Sequence, residues 1–472
     1  MTSNVAIPLW VLVLILLLAL WAALERLLIP SVRWLLRRRV NRVLEEINTR
    51  LKIQVPSLAL TKREVLIDRL IYDPQVLESV AAYAREHAMP REVVMEQVVR
   101  YAREIVPAFN AYVYFRFGYW LARNLARSLY RVRLGFSDEE GLARIAPRST
   151  IVFLINHRSN MDYILVSYLA AEKAALSYAV GEWARIWPLQ TLIRSMGAYF
   201  VRRNSRDALY RSVLGRYVAM ATQAGVTQAV FPEGGLSRDG KLRAPKLGLL
   251  DYMVRGFDPD GDRDIAFIPV GINYDRTLED RTLLSHLDPG REKPGAFSAA
   301  ARTLRFAGRN LALVASNRWH RFGYACVNFG SPVSLKAWMQ SAEVDFRALD
   351  PDTHRARVET LGKDLMAAVA EVIPAVPVSL AATVFTRDPG KPRSELELKT
   401  ECARLMETLS ARGAHVYVPR GDQDYAISVG LRMLTLRHLV DESDGLYTAR
   451  ATELPLLNYY ANSISHLLLA SS

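Results

Sequence analysis

The residues best suited to chemistry are His157 and Asp162, which follow the apolar run Ile151–Ile155. A carboxylate that holds one imidazole nitrogen fixes the tautomer and leaves the other nitrogen free to act as a general base. A second interpretation uses the same residues. Ser159 can be the N-cap of a helix and Asp162 its N3 partner, a capping box with no role in catalysis. The spacing alone leaves both interpretations open.

The apolar run before His157 predicts a strand buried on both faces, because it is short and rich in branched side chains. Comparable runs alternate with helical stretches such as Asp207–Ala224. The runs are Ile151–Ile155, Ala175–Val180, Ala198–Val201, Gln228–Phe231, Ile265–Ile272 and Ala325–Phe329. This alternation predicts an α/β sheet domain. It places His157 at the carboxyl end of a strand, where open α/β sheets bind their ligands.

Two arginines, Arg202 and Arg203, end the run Ala198–Val201. Their guanidinium groups could bind a phosphate in bidentate fashion. The alternative is an ordinary, solvated end of a strand, and the pair by itself favours that alternative.

A glycine-rich loop follows the run Gln228–Phe231. Its potential substrate contacts are Glu233, Gly234, Gly235, Ser237, Arg238 and, further along, Lys246. Glycines allow the backbone to approach an anionic group closely and to hold it on N–H groups. The alternative is a tight turn in which Glu233 forms a salt bridge. A fourth stretch, Phe267–Tyr274, is an apolar strand interrupted by Pro269, and we interpret it as a wall without a reactive group.

Composition sets the broad class. The chain has 472 residues, half of them hydrophobic, which predicts a globular protein of more than one domain. Its two cysteines, Cys326 and Cys402, fit neither a disulfide framework nor a metal site. The formal net charge of +13 indicates an anionic partner, such as a membrane surface, a nucleic acid or a phosphorylated substrate.

The segment Val5–Leu24 carries no charge and is long enough to cross a bilayer as one helix. The alternative is a cleaved signal peptide, but no Lys or Arg precedes the apolar run. Arginines cluster directly after it. The positive-inside rule then predicts a single anchor with the rest of the chain on the cytoplasmic face of a membrane, which we expect to be a bacterial inner membrane.

The region from Ser57 to about Gly135 is predicted to be helical. Its last part, Pro107–Leu134, mixes aromatic residues with arginines. That mixture suits either a helix packed on the next domain or a face that lies on anionic lipid. It could also stack on single-stranded nucleic acid, but no RNA-binding signature accompanies it, so we predict no nucleic-acid partner.

Beyond Pro351 we predict a smaller α/β domain. It would contain a buried strand at Val378–Phe385, an amphipathic helix at Glu395–Ala411 and a strand at Gly413–Pro419, with helices after them. The arginine-rich run Arg302–Arg321 is interpreted as a solvated helix, with membrane contact as the alternative. The predicted domains are 1–45 (anchor and basic segment), 46–140 (helical), 141–350 (catalytic) and 351–472 (C-terminal).

Taken together, four stretches in this order resemble the four motif blocks of the glycerolipid acyltransferase superfamily, and more narrowly the membrane-bound glycerol-3-phosphate acyltransferases. The stretches are His157–Tyr163, Gly197–Arg203, Phe231–Arg238 and Ile268–Tyr274. Leu60–Arg63 and Leu457–Ile464 resemble the narrower family as well. Leu236 departs from it, because the family usually has an arginine there, and Arg238 or Lys246 could compensate.

The resemblance implies transfer of an acyl chain from acyl-CoA or acyl carrier protein to the 1-hydroxyl of glycerol 3-phosphate, with no metal or cofactor. His157 would be the base and Asp162 would orient it. The implied substrate-binding residues are Arg158, Ser159, Arg202, Arg203, Glu233, Gly234, Gly235, Ser237, Arg238, Lys246 and Pro269. One alternative is an acyltransferase that acts on dihydroxyacetone phosphate or lysophosphatidate. The other is a membrane-tethered binding protein without turnover. An anionic phospholipid membrane is the expected partner surface.

Overall fold

A computed structural model describes residues 58, 61–111, 113–170, 176–181, 189–202, 205–287 and 322–469. The predicted span Val5–Leu24, the residue Arg203 and the run Arg302–Arg321 lie outside these ranges. Among the helices within them, none combines the length and the apolar character needed to cross a bilayer.

The described residues form an eight-stranded sheet, with the order β1-β7-β6-β2-β5-β3-β4 and β8 paired with β6. The strands are β1 (Arg131–Ser137), β2 (Thr150–Ile155), β3 (Ser177–Val180), β4 (Tyr199–Phe200), β5 (Gln228–Val230), β6 (Ile265–Tyr274), β7 (Tyr324–Phe329) and β8 (Val333–Ser334). The strands from β6 to β4 run parallel, whereas β7 and β8 run antiparallel to β6. The predicted α/β sheet is therefore confirmed, and each predicted run supplies one of its strands.

Helices cover both faces of this sheet. The α-helices among the described residues, as far as residue 371, are α1 (Arg63–Ile71), α2 (Pro74–Glu86), α3 (Arg91–Ile105), α4 (Tyr119–Leu129), α5 (Glu139–Ala143), α6 (Met161–Ala170), α7 (Leu189–Ser195), α8 (Ala208–Gln223), α9 (Gly248–Val254), α10 (Asp280–Ser285), which packs on the C-terminal core, α11 (Leu335–Ser341) and α12 (Pro351–Glu371). Strand β2 alternates between two cores, as the period of two in a strand requires. Val152 and Leu154 join the core with α1–α3, α8 and α12, whereas Phe153 and Ile155 join the core with α4 and α6.

The helical prediction that reached Gly135 is wrong at its end, because Arg131–Ser137 is strand β1. This strand pairs in parallel with β7 at the edge of the sheet, and most of its residues are exposed. An exposed edge strand carries little apolar pattern, so its pairing partner rather than its own sequence determines its structure.

The C-terminal part contains α13 (Pro377–Arg387), α14 (Glu395–Ala411), α15 (Gln423–Leu436) and α16 (Leu454–Ala461). Between them, β9 (Arg393–Ser394), β10 (Val440–Ser443) and β11 (Leu446–Ala449) form a small antiparallel sheet. The predicted helix Glu395–Ala411 is confirmed to the residue.

Two predictions in this part are wrong. Val378–Phe385 is not a strand, because it lies inside helix α13, where every residue from Pro377 to Phe385 is buried. A helix that is buried all round loses the apolar period that distinguishes it from a buried strand. The segment Gly413–Pro419 makes only an isolated bridge, between Val416 and Ala375.

Candidate active site

The turn after strand β2 is fixed by Asn156. Its Oδ1 accepts a hydrogen bond from the backbone N–H of Ile272 at 2.7 Å, and its Nδ2 donates to the carbonyl of Ile272 at 2.9 Å. These bonds attach the turn to the neighbouring strand β6. The next residue, His157, is thereby held at the carboxyl end of the sheet.

His157 and Asp162 are in direct contact. Nδ1 of His157 lies 2.9 Å from Oδ2 of Asp162, and both side chains are buried. The same oxygen accepts the backbone N–H groups of Arg158 at 2.7 Å and Ser159 at 3.0 Å. Oγ of Ser159 accepts the N–H of Met161 at 3.1 Å. Asp162 therefore caps the start of α6 and also holds the imidazole, so the capping contacts do not exclude the contact with the histidine.

A tyrosine completes this chain of hydrogen bonds. The hydroxyl of Tyr274, at the end of β6, donates to Oδ1 of Asp162 at 2.5 Å. Burial raises the pKa of Tyr274 well above its ordinary value, so the tyrosine stays neutral and remains a donor. The stretch Phe267–Tyr274 was predicted to be a wall without a reactive group, and its last residue adds to the site a supporting hydrogen bond that the prediction did not include.

Glu233 ties the glycine-rich loop to the histidine. Its Oε1 accepts the backbone N–H of His157 at 2.7 Å, and its Oε2 accepts that of Arg243 at 3.1 Å. The N–H of Ser237 donates to the carbonyl of His157 at 2.9 Å. Burial raises the pKa of Glu233 to about 7, and the two N–H donors lower it only in part.

Glu279 supports the start of helix α6, and sequence reasoning missed it. It accepts hydrogen bonds from Oγ of Ser159 at 2.8 Å and from Asn160, whose backbone N–H and Nδ2 lie 3.2 and 3.1 Å away. Burial raises its pKa. Glu279 is separated from Ser159 by 120 positions and belongs to none of the four motif blocks, so no local pattern could have indicated it.

Arg158 is directed towards the C-terminal part. Its Nη1 donates to the carbonyl of Gly240 at 2.7 Å, and its guanidinium lies 5.0 Å from the ring centroid of Tyr459 on α16. Gly240 has a φ of 87°, and a Cβ there would lie 1.9 Å from the backbone oxygen of Tyr459. Only glycine fits this close approach.

A cavity of about 280 Å³ opens beside His157. Its apolar lining comes from Val180, Val201, Leu214, Val230, Phe231 and Leu249, and its cations are Arg202, Arg211 and Lys246. The imidazole packs on Phe231, with ring centroids 4.2 Å apart. Nε2 of His157 is buried and has no hydrogen-bond partner among the described residues. This nitrogen is thus placed to receive a proton from a bound molecule.

Three of the basic residues predicted to bind substrate, Arg202, Lys246 and Arg238, differ in their surroundings. Arg202 lines the cavity, but its guanidinium forms two hydrogen bonds with Glu104, at 2.9 and 2.7 Å, and these raise its pKa. Lys246 lines the cavity beside Gly234, whose φ of 65° and missing Cβ leave room for the lysine stem. Arg238 is exposed and lies outside the cavity lining.

The remaining candidates lie in the surrounding framework. The hydroxyl of Ser237 donates to the carbonyl of Lys241 at 2.7 Å. Gly235 is buried in its loop, and Pro269 is buried in β6, opposite Leu154 of β2. Leu236, where the resemblance leads one to expect an arginine, packs against the C-terminal core. In the described ranges no cluster of three or more His, Cys, Asp or Glu side chains could hold a metal ion.

Two protein families match successive parts of the chain. Residues 137–273 match the family described as acyltransferase, and this range includes strands β2 to β5, nearly all of β6 and the His157–Asp162 pair. This part of the chain is therefore similar to acyltransferase domains. Residues 310–472 match the C-terminal region of glycerol-3-phosphate acyltransferases, so the predicted resemblance to that family is confirmed.

Individual proteins similar to this chain are named glycerol-3-phosphate acyltransferases. A glycerol-3-phosphate acyltransferase of Pseudomonas aeruginosa is 27% identical over 445 residues, which are 91% of this chain and 51% of the relative. One from Xanthomonas campestris is 26% identical over 453 residues, 92% of this chain and 49% of the relative. The chain thus spans about half the length of the curated relatives it matches. The crystal structure of the 1-acyl-sn-glycerophosphate acyltransferase PlsC from Thermotoga maritima aligns with 65% of this chain and 98% of its own, with 17% identity and a TM-score of 0.30.

Proposed function

We propose that this protein transfers an acyl group from an acyl thioester to the 1-hydroxyl of glycerol 3-phosphate and so forms lysophosphatidate. The proposal rests on the surroundings of the two ring nitrogens of His157. Its Nδ1 is held by Asp162, while its Nε2 is buried without a partner among the described residues, at a cavity with both apolar and cationic walls.

The geometry suits direct transfer. The 1-hydroxyl donates to Nε2 of His157, and the proton passes to this nitrogen as the oxygen attacks the thioester carbonyl carbon. The new C–O bond gives a tetrahedral intermediate, which collapses as the C–S bond breaks. The leaving thiolate takes the proton back from His157. Asp162 stabilises the imidazolium between these two transfers, and Tyr274 and the N–H groups of Arg158 and Ser159 hold the carboxylate in place.

The two kinds of wall suit the two substrates. Arg202, Arg211 and Lys246 provide positive charge for the phosphate of the acceptor. The apolar side chains provide a path for the part of the acyl chain next to the thioester. No step in this scheme requires a metal ion or a cofactor.

We also propose that the protein works at the cytoplasmic face of a membrane, with Val5–Leu24 as its anchor. The support from the described residues is an exposed face at the start of α4. Phe117, two residues before α4, and Trp120 on α4 are 45% and 58% exposed, and the exposed residues Arg123 and Arg127 follow on α4. Aromatic rings beside arginines suit the headgroup region of an anionic phospholipid bilayer.

The test is an acyl-transfer assay with the detergent-solubilised full chain. Labelled acyl-CoA or acyl carrier protein is offered with glycerol 3-phosphate, dihydroxyacetone phosphate or lysophosphatidate. His157→Ala is compared with His87→Ala, which alters an exposed histidine on the surface. We expect lysophosphatidate from glycerol 3-phosphate, and a loss of at least about 10³-fold for His157→Ala only.

The possible outcomes separate the alternatives. Transfer to a different acceptor would retain the mechanism and change the substrate. A His157→Ala protein that is as active as wild type would exclude His157 as the base. If neither donor reacts with any acceptor, the protein is not an acyltransferase of this kind, and a binding role replaces the proposal.

A further inference from the structure

A second groove, of about 550 Å³, lies next to the catalytic cavity. One side consists of Lys246 and helix α9. The other side is the first part of helix α12, with Pro351, His354 and Arg355. Neither His157 nor any other residue of its loop lines this groove.

The two cavities adjoin at Lys246 and Gly248, which line both of them. The loop geometry fixes this junction. The backbone N–H of Lys246 donates to the carbonyl of Pro232 at 2.7 Å, and its stem passes over the Cα of Gly234. A molecule long enough to extend from the catalytic cavity past this junction would reach the second groove.

The groove is positively charged. Lys246, Arg255 and Arg355 line it together with a single carboxylate, Asp251. That carboxylate is already engaged, because Oδ1 lies 2.6 Å from Nε2 of His354 and Oδ2 lies 2.7 Å from Nη2 of Arg255. Arg355 is exposed at the groove. The excess of cations favours an anionic occupant.

The length of the occupant decides between the substrates. In glycerol 3-phosphate only three carbons separate the reacting hydroxyl from the phosphate, so an acceptor at His157 keeps its phosphate inside the first cavity. A molecule that reacts at His157 and still places an anion in the second groove must be long. The acyl donor fits, because its pantetheine arm separates the thioester from the phosphate.

We infer that this groove binds the phosphorylated pantetheine carrier of the acyl donor, with Arg255 and Arg355 beside its phosphates. The inference rests on the proposed acyl transfer. Coenzyme A and acyl carrier protein both present this chemical group, so the charge of the groove suits either source.

The experiment compares Arg355→Glu with Arg357→Glu in the full chain. Arg357 is also exposed on α12 but does not line the groove. The KM is measured for acyl-CoA, for acyl carrier protein and for glycerol 3-phosphate. In parallel, titration calorimetry measures the binding of free coenzyme A to both variants in a His157→Ala background, which requires no turnover.

We expect Arg355→Glu to raise the KM for the donor and the Kd for coenzyme A about tenfold, with the KM for glycerol 3-phosphate unchanged. Arg357→Glu should leave the three KM values and the Kd for coenzyme A unchanged. A shift with only one of the two donors would identify the carrier that the groove accepts.

Equal donor constants in the two variants would overturn the inference while leaving the proposed reaction intact. A higher KM for glycerol 3-phosphate instead would place the acceptor in the groove and overturn it as well. The wild type could transfer no acyl group while Arg355→Glu, but not Arg357→Glu, weakens the binding of coenzyme A. That result would support the groove as a binding site for the carrier and would overturn the proposed reaction.

Discussion

The two ends of the cavity beside His157 are built in different ways. At the histidine end, His157, Asp162, Glu233 and Tyr274 are at most 2% exposed, and hydrogen bonds connect them. At the cationic end, Arg211 and Lys246 are both exposed, and both have long stems. One end is a fixed network, whereas the other presents charge on adjustable side chains.

This difference matches what each end is proposed to do. Proton transfer depends on the position of one nitrogen to within a fraction of an ångström, and a buried network supplies that precision. Attraction of a phosphate depends mainly on charge and tolerates movement of the cation. Changes at the histidine end should therefore alter turnover, whereas changes at the cationic end should alter substrate affinity.

The strongest test of the histidine end is Asp162→Asn. The amide retains the shape but carries no charge to stabilise the imidazolium, and its nitrogen cannot accept the hydrogen bonds that the carboxylate accepts. We expect kcat to fall about 10³-fold, with a small change in KM. Steady-state kinetics on the folded variant measure this. A kcat within a few-fold of wild type would mean that the network does not control the chemistry.

Glu233→Gln tests whether the histidine end excludes water. Burial raises the pKa of Glu233 from 4.5 to about 7, so between these values the unfolded chain loses a proton that the folded chain keeps. Its contribution to stability is therefore full below pH 4.5 and is lost as the pH rises towards 7, by about 3 kcal/mol. Glutamine does not titrate. The stability of the variant relative to wild type should thus increase with pH.

Unfolding of wild type and variant at about pH 5 and about pH 8 measures this effect. Glu140→Gln, which alters a residue whose side chain is 85% exposed, is the control. A constant difference between wild type and Glu233→Gln at the two pH values would show that water reaches this carboxylate.

Arg211→Met tests the cationic end. The substitution retains much of the stem but removes the charge from the cavity, so we expect the KM for glycerol 3-phosphate to rise about tenfold with kcat nearly unchanged. Arg238→Met is the matched control, because Arg238 is exposed outside the cavity lining. If Arg238→Met has the larger effect, the phosphate binds elsewhere on the loop.

Tyr274→Phe should have the smallest effect. The tyrosine hydroxyl donates to Oδ1 of Asp162, so without it this oxygen loses a partner and the orientation of the imidazole is less well defined. We expect kcat to fall about fivefold with KM unchanged, as measured by steady-state kinetics on the folded variant. A kcat equal to that of wild type would mean that this hydrogen bond does not support the catalytic pair.

Much of this molecule could be predicted from local sequence. The strands were predictable because short, branched, apolar runs suit a sheet buried on both faces, and β2 and β6 follow that rule. His157 and Asp162 are five positions apart, so a strand that ends before one and a helix that begins before the other must bring them together. The four motif blocks predicted the acyltransferase family that residues 137–273 match.

Contacts between distant parts of the chain were decided only by the tertiary structure. Tyr274 reaches Asp162 across 112 positions and Glu279 reaches Ser159 across 120, because strand order and register place β6 and the segment after it beside the turn after β2. Helix α13 is buried on every side, which removes the apolar period that would have revealed it as a helix.

The sequence determined which residues could react, because local pattern specifies strands and turns. The tertiary structure decided which residues hold the reactive side chains in place, because those partners lie far away along the sequence.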